Sequence, residues 1–484
     1  MAKTENFIVA IDLGSSKVTG IAGVKEPDGA INVLAFTQEP SESFIHKGRV
    51  QNVDKLTQCI RNMKADLEKT LDKAISQVYV GLGGLGMHTV GNSVSKNFPE
   101  KVVITQSMID EVLDINLNSC PGDREILDVI PQEYKVGAQL QLDPVGVLTD
   151  RLEGRFLNVV VSPELRQQIE NCFRSAGIKI ADMPITEQVL ADIVLSDSEK
   201  RSGCVFVDMG AETTTVAVYK NNILRHLAVI PLGGANINRD FLSLQVDYDE
   251  AEELKLKYGS ARFANVDTEH APIALKDGRY IKYEEFSNLV EARMEEIILN
   301  IEHQISLSKY NRNQLIGGMI ITGGASQIQN IEKAITEFTK FDKLRFVRNI
   351  RTTLRTKLAD FNRNGSCNAA IALIESGDQN CCGGDLGDPT KSIFPTEEEI
   401  KQQQEEERRK QEEEERRLEM ERQAEIELQQ EQEAEKSKRE RRGGAMRSVR
   451  SFFSRIASLV SDEDTSPLDT QKDSQNENAT PNQK

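Results

Sequence analysis

The sequence predicts an α/β protein of two related lobes followed by a charged tail, on three observations. Apolar runs such as FLNVVVS, CVFVDMG and GMIITGG alternate with amphipathic stretches such as IRNMKADLEKTLDKAI and LRQQIENCFRSAGI. Two segments, AIDLGSSKVTGIA and FVDMGAETTTVAV, align without a gap and pair Asp12 with Asp208 and Gly14 with Gly210. Beyond the glycine-rich break CCGGDLGDPTKS the composition turns to Glu, Gln, Arg and Lys. The 484 residues exceed the roughly 250 to 300 at which a single core stops growing, so at least two domains are expected.

The first element is the hairpin around VAIDLGSSKVTG, with Asp12 at the end of an apolar strand. A glycine just past a strand end lets the backbone approach a phosphate, and successive N–H groups in a tight turn form an anion-binding nest. Gly14, Ser15, Ser16 and Lys17 supply such a turn, and Gly210, Ala211, Glu212, Thr213 and Thr214 repeat it. Triphosphate arrives with magnesium, which keeps several waters and takes one or two carboxylates. Asp12 and Asp208 therefore fit as Mg2+ ligands acting through water from opposite walls. An Asp-x-Gly turn alone is an ordinary loop whose aspartate caps itself; two copies with a third glycine turn in order point to nucleotide binding.

That third turn is MIITGGASQI, where an apolar strand breaks at Gly323, Gly324 and Ala325 before a helix over ASQIQNIEKAI. A side-chain-free turn lets a nucleoside lie against the backbone. PLGGAN repeats the device at Gly233 and Gly234, and Glu252 and Lys255 share one helix face at i, i+3. They can bracket a purine and ribose, or form an ordinary solvated face. GLGGLG at 81–86 satisfies a dinucleotide pattern, yet no helical period follows it, so it reads as a flexible junction.

Composition excludes other classes. The net charge of −17 argues against a nonspecific nucleic-acid binder, so no nucleic-acid partner is expected. Seven scattered cysteines without C-x-x-C spacing support neither a disulfide framework nor a zinc site and suit a reducing cytosol. The N-terminus lacks a signal peptide's apolar region, and no run reaches the roughly 20 apolar residues of a spanning helix.

The duplicated hairpins with TGGA and PLGGANI resemble the actin, heat-shock chaperone and sugar-kinase superfamily. VIPQEY (129–134), DPVG (143–146), LRHLAVIPLGGANINRDF and DEAEELKLKYG resemble the FtsA family of bacterial actin-like division proteins. The resemblance spans about residues 6–375 and returns at the C-terminus. It implies an actin-like two-lobed ATPase fold with four subdomains: 1A over 1–83, 163–198 and about 360–380; an inserted small α/β subdomain 1C over 84–162; 2A over 199–235 and 302–359; and 2B over 236–301. It implies adenine nucleotide in the central cleft, held by the phosphate turns, Gly323 and Gly324, and the Glu252–Lys255 clamp. Glu187 in PITEQVLAD falls where such ATPases place a group that orients the attacking water; an exposed glutamate opening a helix is the alternative. The helix in GSCNAAIALIESG departs from the family's usual pattern.

The tail begins as a charged linker, 381–442. From Glu397 to Arg442 favourable pairs such as Glu405/Arg409 and Glu412/Arg416 recur without a heptad seam, suiting a single helix or a disordered spacer. Fully helical, it would span about 70 Å. In 443–461, Met446, Val449, Phe452, Phe453, Ile456, Leu459 and Val460 form one stripe flanked by Arg447, Arg450 and Arg455. Lys436 to Arg455 carries eight basic residues and one acid, which suits an in-plane helix on anionic membrane lipid. The alternative is docking on a protein. FtsA proteins end in such a membrane-targeting helix, and the polar tail 462–484 reads as disordered.

The resemblance implies an ATP-binding scaffold that polymerises with itself on the cytoplasmic face of the inner membrane at the septum. There it anchors FtsZ through that protein's C-terminal tail and helps recruit other divisome proteins, with weak ATP hydrolysis at most. A small-molecule kinase, or another actin-like ATPase of a pilus or secretion machine, is the alternative.

Overall fold

A strand buried on both faces has to be apolar along its whole length, and FIVAIDL, the Phe7–Leu13 strand, is buried from Phe7 to Ile11. It lies inside a six-stranded sheet ordered Lys179–Asp182, Gln77–Val80, Phe7–Leu13, Lys17–Lys25, Ile31–Pro40 and Leu354–Thr356. The computed structural model describes residues 6–385 except 120–122, 264–270, 349, 359–360 and 362–364. These residues belong to one compact unit. The linker beyond Asp385 and the stretch with Met446, Arg447, Val449, Arg450, Phe452, Phe453, Arg455, Ile456, Leu459 and Val460 lie outside the described residues.

Phe7–Leu13 and Lys17–Lys25 form an antiparallel hairpin with Asp12 opposite Thr19. The second copy, Cys204–Met209 with Thr214–Lys220, repeats this register with Asp208 opposite Thr215. Each aspartate strand has a parallel neighbour on its other side, Gln77–Val80 in the first sheet and Gly318–Thr322 in the second. The repeat in sequence is therefore a repeat in structure.

Helices cover the first sheet because their apolar residues recur at helical spacing. Val53–Leu71 buries Leu56, Cys59, Ile60, Met63 and Leu67 and packs on Ile31–Pro40. Asn52 caps it by accepting from Lys55 N–H at 2.9 Å. The Asn368–Ser376 helix, buried at Asn368 and from Ala370 to Ile374, packs against Phe7–Leu13 and the Thr186–Val194 helix.

The second sheet has nine strands, ending in Ile223–Ile230, Thr214–Lys220, Cys204–Met209, Gly318–Thr322 and Leu344–Phe346. Period-two alternation divides its side chains between two cores. Val205, Val207, Val216 and Val218 join a core with the Tyr283–Leu307 helix, while Phe206, Ala217, Tyr219 and Ile320 join the core of the first sheet. One apolar core thus runs from the first sheet onto one face of the second.

The other four strands, Gln139–Gln141, Glu125–Val136, Leu148–Val161 and His88–Val103, attach to this sheet through the pairing of His88 with Ala228. With the Gln106–Leu117 helix they enclose a third core of Val94, Val112, Tyr134, Leu152 and Phe156. Asn116 and Asn158, both buried, satisfy one another at 2.8 and 3.2 Å.

Three boundaries differ from the sequence reading. Cys381 and Cys382, expected in the linker, are buried, and Cys382–Asp385 pairs with Lys73–Ile75, because the chain supplies one further short strand to the first core. Leu354–Thr356 pairs with Ile31–Pro40 and Val347 is buried in the first core, so the chain returns to the first lobe before residue 360. After Gly323 the chain makes a 3-10 turn, Gly324–Gln327, and the α-helix begins only at Ile331.

Phe156 is 1% exposed and meets Tyr134 edge-on at 6.1 Å. Phe156→Ala is expected to cost about 3–5 kcal/mol, with hydrogen exchange rising first among the strands of residues 88–161 and less in the Phe7–Leu13 strand.

Candidate functional site

The two hairpins open onto one cavity of about 590 Å³. From the first turn it is lined by Asp12, Gly14, Ser15, Ser16 and Lys17, and from the second by Asp208, Gly210, Ala211 and Thr213. Gly234, Glu252, Lys255, Gly323, Gly324, Ala325 and Glu187 complete the set that the structure brings together. Each turn is tightly closed. Gly210 N–H donates to Thr213 O at 2.8 Å, and a Cβ at Gly14 would stand 2.6 Å from Lys17 O.

The glycine pair at 323–324 divides its work. Gly323 has φ +92°, and a Cβ there would lie 2.3 Å from Met209 O and 2.5 Å from an Asp208 carboxylate oxygen. A side chain would push the third turn off the second hairpin. A Cβ at Gly324 would meet nothing within 4 Å, so the wall there is bare backbone facing open space.

Three expected ligand residues do not line the cavity. Gly233 supports it from outside, since a Cβ would meet Gly210 O and Ala211 O at 2.5 Å. Thr214 is fully buried and donates its hydroxyl to Leu232 O at 2.8 Å. Glu212 is 4% exposed and its carboxylate accepts from Lys47 N–H at 2.7 Å and from the Arg239 guanidinium. These groups are committed to protein partners because the second turn packs against two neighbouring elements at once.

Glu252 is oriented on both sides. It pairs with Lys255 and accepts from the Asn238 amide at 2.6 Å, while Lys255 also donates to Gly234 O at 3.2 Å. The pair is thus a built wall of the cavity and not a free helix face.

Glu187 is buried, against the reading of an exposed helix-start glutamate. One carboxylate oxygen accepts from the Thr215 hydroxyl at 3.1 Å, and the other has no hydrogen-bond partner. Burial pushes its carboxyl up to about 7, with Asp208 and Asp12 adding to the rise. Burial likewise lifts Asp208 to about 7, with Asp12 contributing, and Asp12 to about 6, where Lys17 opposes the shift. Three carboxyls sharing one cavity disfavour ionisation until a cation compensates them. Among the described residues no group of three His, Cys, Asp or Glu is arranged to hold a metal directly.

The sequence reading missed the segments that close this site. Gly81, Gly83 and Gly84 of the GLGGLG run line the cavity together with Gly48. That run is no flexible junction: Leu82 N–H donates to Pro184 O at 2.9 Å, and a Cβ at Gly83 would stand 3.0 Å from Glu187 Oε1. Its glycines admit Glu187 and the hairpin at Gly48 where side chains would not fit. Glu42, Asn238, Tyr248, Ser366 and Asn368 also line the cavity, and only tertiary packing selects them.

Residues 205–372 match the family model of the cell division protein FtsA, and residues 84–160 match the model of the SHS2 domain inserted in FtsA. The chain is 30% identical over 342 residues to the cell division protein FtsA of Porphyromonas gingivalis, covering 69% of this chain and 71% of that one. It is 29% identical over 344 residues to the corresponding protein of Neisseria meningitidis, covering 68% and 81%. Among solved structures it resembles a chain of the PilM-PilN type IV pilus biogenesis complex, with a TM-score of 0.53 at 14% identity over 76% of this chain and 97% of that one. That likeness is one of fold, and the fold is actin-like with an inserted α/β domain.

The raised carboxyls predict a pH dependence. Asp12, Glu187 and Asp208 hold their protons to higher pH folded than unfolded, so between about pH 4 and 7 they make the folded state bind more protons and lose stability as pH rises. Asp208→Asn is expected to raise the thermal midpoint of the ligand-free protein most near pH 8, progressively less as the pH falls, and little near pH 4; melting curves across that range check the difference.

Proposed function

The chain belongs to the FtsA family of cell division proteins, and from that premise we propose that it is an ATP-binding scaffold that polymerises on the cytoplasmic face of the inner membrane and anchors FtsZ filaments at the septum. The observation that carries the nucleotide part is the pair of hairpins in identical register, each presenting an aspartate and a glycine turn to one cavity.

In this reading the turn at Gly14, Ser15, Ser16 and Lys17 and the turn at Gly210, Ala211 and Thr213 grip the phosphates from opposite sides through backbone N–H groups, and Lys17 adds charge. Gly324 and Ala325 receive the adenosine on bare backbone, with Glu252 and Lys255 beside the purine and ribose. Asp12 and Asp208 hold Mg2+ through water; the ion supplies charge neutralisation of the triphosphate. Glu187, whose free carboxylate oxygen faces no protein donor, orients a water for weak hydrolysis. Such a binding site prefers a closed arrangement of the lobes, and closure selects the polymerising conformation.

The subdomain scheme follows the same reading, with 1A and 2A around the two sheets, 1C over about 84–162 and 2B over about 236–301. Among the described residues no helix is long and apolar enough to cross a membrane. Membrane attachment is assigned to the amphipathic stretch 443–461, whose weak individual affinity multiplies along a filament. The FtsZ tail and other divisome proteins are the partners of the assembled filament.

Two measurements test the scheme. Lys17→Ala is expected to weaken binding of a fluorescent ATP analogue about 10- to 100-fold, as loss of a charged phosphate contact does. By electron microscopy on an anionic lipid monolayer with magnesium ATP, the full-length chain is expected to form bound filaments and a truncation before Gly443 to leave the surface bare. Equal binding by both, or by neither, sinks the tail assignment, and turnover of added sugars would identify a kinase instead.

A further inference from the structure

One β-turn touches both candidate phosphate turns. Ile45–His46 and Arg49–Val50 form a small hairpin, and its two tip residues, Lys47 and Gly48, have φ of 52° and 71°, the left-handed pair that two-residue hairpin turns require. In this conformation successive N–H groups serve two elements. Lys47 N–H donates to the Glu212 carboxylate at 2.7 Å, and Gly48 N–H donates to Ser15 Oγ at 2.9 Å. Ser15 belongs to the first turn and Glu212 to the second.

The tip is braced from the first lobe. Leu85 N–H donates to Lys47 O at 2.9 Å, Arg49 Nε donates to Leu85 O at 2.9 Å, and a Cβ on Gly48 would come within 2.5 Å of Gly84 Cα. Glu212 is held from the second lobe by Arg239, with His46 Nδ1 of the hairpin 3.5 Å from the same carboxylate. The carboxylate faces these groups and does not line the cavity. Separation of the two turns has to break a part-buried, charge-assisted hydrogen bond between the lobes.

We propose that the Lys47–Gly48 tip clasps the two phosphate turns together, and that Glu212 is a positioning residue that sets the rate at which nucleotide leaves. The inference rests on the nucleotide reading above. It removes Glu212 from the ligand contacts and makes it a tie across the cleft, tuned by Arg239. Its mutation therefore acts on release, where a phosphate-contacting residue would also change capture, and a residue that matters only for folding would change neither rate in the folded fraction.

The test is stopped-flow chase of N-methylanthraniloyl-ATP preloaded with magnesium onto the full-length protein, using excess unlabelled ATP. Glu212→Ala is expected to speed release about 10- to 100-fold with association unchanged, the range for loss of a charged hydrogen bond. Arg239→Ala, whose side chain is 39% exposed, keeps the bond to Lys47 but frees the carboxylate, and is expected to speed release by a smaller factor. It carries the test should Glu212→Ala fail to fold. Wild-type release rates in the variants that fold overturn the clasp while leaving nucleotide binding intact. Slowed association in place of faster release overturns it too, by returning Glu212 to the ligand contacts. Failure of the wild-type chain to bind the analogue overturns the nucleotide reading and the clasp with it.

Discussion

Two aspartates, Asp12 and Asp208, sit in one cavity where loss of solvent disfavours their charged forms, and the strands that hold them there fix the geometry of the site around them. Asp12 and Asp208 each end a buried strand whose neighbours on both sides fix its position. The rise of both carboxyls above the ordinary range is the energetic trace of that placement. A lone carboxylate at a strand end would turn to solvent or cap its own loop. Here the strands cannot rotate the acids away, because the alternation that buries their apolar residues also decides which way the acids point.

The same alternation ties the lobes into one mechanical object. Phe206, Ala217, Tyr219 and Ile320 leave the second sheet on the side of the first core, so the lobes share an apolar seam. The contact at Lys47 and Gly48 is polar and directional, and it joins the two turns through two hydrogen bonds. An apolar seam and a polar tie thus join the two lobes at separate places.

Glycines set how closely the elements approach. Gly323 carries the third turn onto Met209 and Asp208, Gly233 carries the PLGG turn onto the second hairpin, and Gly48 meets Gly84 backbone to backbone. Any Cβ at these positions would sit nearer than 3 Å to backbone or to a cavity carboxylate. At Gly14, Gly210 and Gly324 the cavity wall is accordingly bare main chain, which offers N–H groups to an anion and flat surface to a base.

By itself the sequence determined the fold class, the duplication, the aspartates and the glycine turns, because these depend on periodicity and local backbone demands that repeat along the chain. Gly14, Gly210, Gly323 and Gly324 were legible for that reason. Only the tertiary structure decided which side chains face the cavity and which face a neighbouring lobe. Glu212 lies in the same five-residue turn as Gly210 and Thr213, yet its carboxylate turns to Lys47 and Arg239. Glu187 shows no local sign of burial, but the GLGGLG run and Thr215 enclose it from two distant stretches. Local pattern specifies strands and turns, whereas the direction and charge state of a side chain depend on partners that only the folded chain brings within reach.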